Sequence, residues 1–259
     1  MPFASLGDDV SLFYTDDGAD GPPIVLLHGW TCASDDWIWQ IPELARRYRV
    51  IAVDLRGHGS STVTPGGYRV EDYAADIRRF TEVLDCGPAI VVGHSLGAVI
   101  GAKIAIDHPD SVRAFIAVDP AYGPSFTMSL RPEYISLLRS EACFTVVRAG
   151  FNLLVSPATP AHLVTWYQRR PLRVPQHVIA ESIAGMISDG GPVVDRSGLR
   201  QRRCPTLTFY RTPSDGAWEE TAFGSGPGKV VVWEGSGHWL HQERPTEFNA
   251  VLTEWLDRL

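Results

Sequence analysis

The chain has 259 residues, enough for one large α/β domain or for two small domains. Hydrophobic residues make up 44% of it and charged residues 20%, which are ordinary values for a folded protein and exclude disordered, collagen-like and coiled-coil classes. Lys and Arg number 23 against 30 Asp and Glu, so the formal net charge is −7. Because this balance opposes attraction to phosphate backbones, we expect no nucleic-acid partner.

The sequence carries no pattern typical of a metal site or of a membrane anchor. Its four cysteines are scattered, with no Cys-x-x-Cys pair, so we expect reduced, buried thiols, no metal and no cofactor. The first nine residues lack the basic and apolar regions of a secretory signal. The most apolar stretch, 89–106, is interrupted by His94, Ser95 and Lys103. We therefore expect a cytoplasmic protein that is not associated with a membrane.

Short apolar runs alternate with amphipathic segments through the first 119 residues. At 70–84, for example, apolar residues recur at steps of three and four, as on one face of a helix. The patterns predict strands at 11–14, 24–27, 49–54, 89–92 and 112–118, and helices at 37–48, 70–84 and 96–108. This alternation predicts an α/β fold, in which a mostly parallel sheet is covered by helices on both faces.

The alternation stops after Asp119. Residues 120–203 are punctuated by prolines and predict only helices, at 132–147, 160–168 and 176–188. Alternation then resumes, with predicted strands at 206–210 and 229–233 and a last helix at 245–259. An insertion between two strands of such a sheet can cover the pocket above the strand ends. We therefore predict a core of 1–119 and 204–259 with a helical cap of 120–203.

The motif Gly93-His94-Ser95-Leu96-Gly97 follows a predicted buried strand and opens a predicted helix. In that context a tight turn lifts the serine hydroxyl above the sheet, and the glycines leave room for the strained backbone. The motif predicts that Ser95 is a nucleophile. A serine hydroxyl is a weak nucleophile by itself, so a base must lie within hydrogen-bond reach.

With this motif, the sequence resembles the α/β-hydrolase superfamily over essentially its whole length. The resemblance also rests on His28-Gly29-Trp30, on the stretch 54–61 and on Gly235-Ser236-Gly237-His238. It implies the α/β-hydrolase fold, with the cap inserted after the sixth strand. It further implies that His238 is the base, with His241 as the alternative, and that the backbone N–H groups of Trp30 and Leu96 form an oxyanion hole. Each such donor is typically worth about 3 kcal/mol to an acyl-transfer barrier.

Two aspartates compete for the role of the acid that orients the histidine. The commoner family pattern places it after the strand at 206–210 in a Gly-x-x-Asp turn, but this chain has Arg211-Thr212-Pro213-Ser214-Asp215 there. A minority, including some lactonases and cofactor-free ring-cleaving dioxygenases, carry the acid at the end of the strand after the elbow helix, where Asp119 stands. A buried carboxylate there is costly unless it is paired. We favour Asp119, and Asp215 stays open.

The expected activity is hydrolysis of a carboxylic ester or lactone through an acyl-enzyme, because a serine nucleophile disfavours the branches of the superfamily that use aspartate. The partner would be a small hydrophobic substrate, bound by Trp30, Tyr122 and Trp166. Two alternatives stay open: a cofactor-free dioxygenase acting on a heteroaromatic substrate, and a ligand receptor with slow turnover. The sequence leaves the oligomeric state open, a homo-oligomer included.

Overall fold

The computed structural model describes residues 2–18, 20–126, 132–188, 193, 195–223 and 228–259. Within these ranges, eight strands form one sheet in the order β1-β2-β4-β3-β5-β6-β7-β8. The strands are β1 (Phe3–Gly7), β2 (Val10–Gly18), β3 (Pro23–Leu27), β4 (Arg49–Val53), β5 (Ala89–His94), β6 (Val112–Val118), β7 (Thr206–Tyr210) and β8 (Gly228–Val232). Strands β3 to β8 run parallel, whereas the β1–β2 and β2–β4 pairs are antiparallel.

Ten α-helices lie in the same described ranges, and none of these is long and apolar enough to cross a bilayer. They are α1 (Ile41–Leu44), α2 (Val70–Val83), α3 (Leu96–Asp107), α4 (Pro132–Leu138), α5 (Cys143–Asn152), α6 (Ala161–Arg169), α7 (Gln176–Met186), α8 (Pro213–Phe223), α9 (Leu240–Glu243) and α10 (Pro245–Leu256).

The sheet has an apolar core on each face, because successive side chains of a strand point to opposite sides. In β3, Val25 and Leu27 join the cluster that contains α2 and α3, whereas Ile24 and Leu26 join the cluster that contains α10. All four side chains are fully buried. A central strand that is covered on both sides reads as a continuous apolar run, which is why the sequence pattern located it. The predicted α/β fold, with helices on both faces, is confirmed.

The structure differs from the predicted elements mainly outside the parallel strands. The segment predicted as one helix at 37–48 forms a 3-10 turn, Ser34–Trp37, and the short helix α1, which has Pro42 in its first turn. Proline has no N–H and collides with the preceding turn, so a helix cannot run through it undisturbed. The helix predicted at 132–147 is divided into α4 and α5. Neither β1 nor α8 was predicted.

Between β6 and β7 the described residues contain four α-helices, α4 to α7, two short 3-10 helices and no strand. Side chains of α5 and α7, among them Phe151, Ile183 and Met186, line a cavity above the carboxyl end of β5. The insertion therefore covers the end of the sheet at which the parallel strands place their loops. The limits predicted for the cap, 120–203, stay a prediction.

Candidate active site

Ser95 is the single residue between the end of β5 and the start of α3. Its backbone has φ 51° and ψ −111°, a conformation that costs a residue with a Cβ atom about 1 to 3 kcal/mol. The two motif glycines are needed for close approach: a Cβ at Gly93 would lie 2.4 Å from the Gly97 carbonyl oxygen, and one at Gly97 would lie 2.3 Å from the Leu27 carbonyl oxygen. This tight turn holds the Ser95 side chain at the wall of the cavity.

His238 and Asp119 meet at the same cavity. Asp119 directly follows β6, and its Oδ2 atom lies 2.5 Å from Nδ1 of His238. The histidine backbone is held on both sides, since its N–H donates to the Leu154 carbonyl at 2.7 Å and its carbonyl accepts from Nε2 of His94 at 3.0 Å. With Nδ1 engaged by the carboxylate, Nε2 is the ring nitrogen that remains for chemistry in the cavity.

The second candidate acid, Asp215, also lines this cavity but has other partners. It lies in the first turn of α8, where Oδ1 accepts from the Ser125 N–H at 2.9 Å and Oδ2 accepts from Thr212 Oγ1 at 2.7 Å. The Ser125 hydroxyl also donates to Oδ2. Of the two candidates left open by the sequence, Asp119 is therefore the one that contacts His238, and Asp215 ties the start of α8 to the loop after β6.

Arg211 contacts Asp119, and the sequence did not predict this contact. It is the first residue after β7, and its Nε donates to Asp119 Oδ2 at 3.0 Å while its backbone N–H donates to Oδ1 at 3.2 Å. The signal that could have found it is the register of the sheet. Because β6 and β7 are parallel neighbours, with Val118 opposite Phe209, the residues that follow the two strands lie side by side.

The cavity beside Ser95 has a volume of about 180 Å³ and mostly apolar walls. Its apolar lining comprises Trp30, Pro120, Phe126, Tyr134, Phe151, Leu153, Leu154, Ile183, Met186 and Trp239. Trp30, one of the three residues predicted to bind substrate, is held there by a hydrogen bond from Nε1 to the Ile179 carbonyl at 3.0 Å and by an edge-to-face contact with Phe151.

The structure corrects the expectation for the other two residues, Tyr122 and Trp166, which do not line this cavity. Tyr122 is fully buried, and its hydroxyl accepts from Arg202 at 3.3 Å, so it forms part of the packing beside β7. Trp166 is 40% exposed, and the guanidinium groups of Arg170 and Arg173 lie near its ring. The helix that carries Trp166 turns this side chain away from the cavity, an orientation that a sequence pattern cannot supply.

The two predicted oxyanion donors belong to segments that adjoin Ser95. Leu96 is the first residue of α3, so its N–H has no acceptor within that helix. Trp30 follows Gly29, at which an added Cβ would come within 3.4 Å of Ser95 Cβ. The loop after β3 thus passes next to Ser95, which is where a donor to an oxyanion must lie. The role of these two N–H groups stays a prediction.

A buried polar cluster lies behind the histidine loop. Potential metal-binding atoms of Asp36, His94 and His241 lie within 4.8 Å of one another. However, Nη2 of the buried Arg170 lies 2.7 Å from Asp36 Oδ1. Burial lowers the pKa of both histidines well below the ordinary value and raises the pKa of Asp36 to about 6. Because a fixed guanidinium charge next to Asp36 repels a divalent cation, this donor set fits an internal ion pair better than a metal.

Comparison with known proteins decides the family. A family model of the alpha/beta hydrolase fold matches residues 22–189. The chain belongs to the α/β-hydrolase fold family. A curated relative of this α/β-hydrolase, the 2-(acetamidomethylene)succinate hydrolase of Mesorhizobium japonicum, is 29% identical over 257 residues, which cover 92% of this chain and 88% of the relative.

Other similarities to this α/β-hydrolase are local or concern the fold. The non-heme chloroperoxidase of Burkholderia pyrrocinia is 43% identical over 107 residues, which cover 40% of this chain and only 37% of that protein. The match to the non-heme chloroperoxidase of Streptomyces lividans covers 38% of its length. The crystal structure of the enol-lactonase from Burkholderia xenovorans LB400 superposes with a TM-score of 0.84 at 19% identity, covering 99% of this chain and 100% of that one, and shows the shared fold.

Two other motifs of this α/β-hydrolase shape the loops around the cavity. His28 Nε2 accepts from the Leu55 N–H at 2.9 Å, and burial lowers the pKa of His28 to about 4, which keeps the ring neutral. Asp54 accepts from the N–H groups of Ser34 and Ser60 at 2.7 and 2.8 Å. These contacts join the loops that follow β3 and β4.

Proposed function

We propose that this protein is a serine hydrolase that cleaves a carboxylic ester or a lactone through an acyl-enzyme on Ser95. The observation that carries the proposal is the 2.5 Å contact between His238 Nδ1 and Asp119 Oδ2, at a cavity that Ser95 also lines. A carboxylate in this position fixes the tautomer and orientation of the imidazole and stabilises the imidazolium that forms when the serine is deprotonated.

In the proposed reaction, the Ser95 Oγ atom attacks the substrate carbonyl carbon while its proton moves to Nε2 of His238. The negative charge that develops on the carbonyl oxygen is accepted by the N–H groups of Trp30 and Leu96. The C–O bond to the leaving group then breaks, and His238 returns the proton to the leaving oxygen. In a second round, water attacks the acyl-enzyme and His238 removes its proton. The bond between the acyl carbon and Ser95 Oγ then breaks, and His238 returns the proton to Oγ.

The walls of the cavity support a small, largely hydrophobic substrate. Its volume of about 180 Å³ is modest, and aromatic and aliphatic side chains from the insertion and from the histidine loop form most of its surface. For a lactone, the leaving oxygen remains part of the acyl chain as a hydroxyl group, so water releases a single hydroxy acid. The insertion, 120–203, would act as the cap that excludes bulk water during the reaction, and we propose that the protein works in the cytoplasm.

The relatives support hydrolysis more firmly than they support a substrate. The relative from Mesorhizobium japonicum that aligns over most of this chain is a hydrolase of 2-(acetamidomethylene)succinate. The chloroperoxidase matches span about two fifths of this chain and less than two fifths of those proteins, and they carry no conclusion about the whole reaction.

The test is intact-mass labelling by a fluorophosphonate, which reacts with a serine that a histidine activates. We expect one adduct on the wild type, none on Ser95→Ala, labelling slowed roughly 10² to 10⁴-fold in Asp119→Asn, and near wild-type labelling in the control Asp215→Asn. A wild type that does not label refutes the proposal. Oxygen consumption with a hydroxyquinolone that persists in Ser95→Ala would instead establish the dioxygenase alternative.

A further inference from the structure

We propose that Arg211 is a positioning residue that sets the pH below which the enzyme loses activity. Its positive charge keeps His238 unprotonated, and therefore able to act as a base, at a lower pH than the Asp119–His238 pair alone would allow. This inference rests on the proposed function, because it concerns the same serine, histidine and aspartate.

The geometry makes Arg211 and His238 share one acceptor atom. Oδ2 of Asp119 lies 3.0 Å from Arg211 Nε and 2.5 Å from His238 Nδ1, and its other oxygen accepts from the Arg211 backbone N–H at 3.2 Å. Both side chains of the ion pair are mostly withdrawn from water, with 25% of the Arg211 side chain and 8% of the Asp119 side chain exposed. The carboxylate thus has a permanent cation beside it before the histidine acquires any charge.

The charge on Arg211 works against protonation of the histidine. A carboxylate with no other partner favours the imidazolium, because opposite charges attract at short range. A guanidinium is charged at every accessible pH, and in this position it cancels much of the charge on Asp119 and repels a second cation. The hydrogen bond that orients the imidazole is kept, whereas the electrostatic stabilisation of the imidazolium in the free enzyme is reduced.

Other titratable groups near His238 come from several elements and are present in every Arg211 variant. Burial lowers the pKa of His94 and His241 well below the ordinary value, so both are neutral. Burial raises the pKa of Tyr134 to about 12, so it is also neutral. Two charged groups have partners of their own: Asp215 of α8 is held by Ser125 and Thr212, and Arg170 is paired with Asp36. Glu243 of α9 accepts from the Gly237 N–H at 2.7 Å; burial raises its pKa, whereas the charges of His238 and Arg211 lower it. In the contacts described for the structure, none of these three groups forms a hydrogen bond with the His238 ring or with the Asp119 carboxylate.

The experiment measures the second-order rate constant for fluorophosphonate labelling of Ser95 between pH 4.5 and 9. The probe reports activation of the serine by unprotonated His238 and does not require the natural substrate. We expect the midpoint of the acidic limb to move upward by about one pH unit in Arg211→Met and Arg211→Gln. Arg211→Lys, which keeps the charge, should retain the wild-type midpoint even if its labelling rate is lower.

The matched control is Arg56→Met. Arg56 also pairs with a largely buried aspartate, Asp76, through two contacts of 2.6 and 2.7 Å, but neither residue lines the cavity. Its removal should leave the midpoint unchanged. Circular dichroism and urea unfolding establish which variants are folded, and if Arg211→Met does not fold, Arg211→Gln, which keeps a donor for Asp119, provides the comparison.

A folded Arg211→Met or Arg211→Gln variant with the wild-type midpoint overturns the inference. A labelling rate that falls by the same factor at every pH also overturns it, since this pattern would assign Arg211 a purely structural role. These outcomes differ from failure of the proposed function, in which the wild type itself does not label at any pH.

Discussion

Replacement of Arg170 by methionine should strongly destabilise the fold. Arg170 is 5% exposed, and its guanidinium lies 2.7 Å from the fully buried Asp36 and 4.9 Å from the centre of the Tyr167 ring. Methionine fills a similar space, so the main loss is electrostatic. Removing one partner of a buried ion pair leaves an uncompensated charge and typically costs about 3 to 5 kcal/mol. We expect that loss in the free energy of unfolding of Arg170→Met at pH 7.5.

Urea unfolding followed by tryptophan fluorescence measures this loss by linear extrapolation. The control is Arg47→Met, whose partner Asp257 is exposed and for which a loss below about 1 kcal/mol is expected. The double variant Asp36→Leu with Arg170→Met removes both charges and should recover part of the stability lost in the single variant. A single variant no less stable than the control would refute the pairing, and a double variant that loses the sum of the two single losses would refute the coupling.

Three further predictions follow from buried groups. Burial raises the pKa of Asp36 from 3.8 to about 6, so the folded state binds more protons than the unfolded state between these pH values. The stability of the wild type relative to Asp36→Asn, measured by urea unfolding, should therefore fall by about 2 kcal/mol between pH 4 and pH 7. A difference in stability between the two proteins that stays constant from pH 4 to pH 7 would contradict this shift. Gly97→Ala places a Cβ 2.3 Å from the Leu27 carbonyl oxygen and should lower the melting temperature sharply or prevent folding, whereas Gly66→Ala, where the space is open, should have little effect. Trp30→Phe removes the Nε1 donor to the carbonyl on α7 and should cost about 1 kcal/mol of unfolding free energy, and an unchanged value would show that this bond contributes nothing.

The sequence located the parts of the fold whose packing is dictated by the chain itself. Apart from the exposed Arg113, the run Val112–Val118 is apolar because β6 is covered on both faces, and its predicted bounds agree with the structure. The edge strand Phe3–Gly7 has no such run: Phe3, Ser5 and Gly7 are exposed and only two of its residues are buried. An edge strand of this kind depends on pairing with β2, which a local pattern does not reveal.

In the candidate site, too, residues within a local motif were predicted, whereas contacts between distant elements were not. Ser95 and His238 stand in motifs of adjacent residues, so the sequence could propose them. The contact between Arg211 and Asp119 joins residues 92 positions apart, and it exists because two parallel strands end side by side. The misplacement of Trp166 has a related cause, since the face that a helix of the insertion presents to the core is set by tertiary packing. The residues missed by the sequence analysis are therefore those whose partners come from other elements.

The hydrogen bond from the His238 N–H to the Leu154 carbonyl has a consequence for how ligands enter and leave. Leu154 belongs to the insertion, whereas His238 belongs to the loop after β8. A hinge opening that lifted this part of the insertion would have to break the 2.7 Å bond or carry the histidine loop along, and the base would then be out of position during each exchange. Rotation of side chains at the rim, where Leu153 is 62% exposed, leaves that bond intact. Entry and exit of ligands through the rim are thus compatible with His238 keeping its position from one turnover to the next.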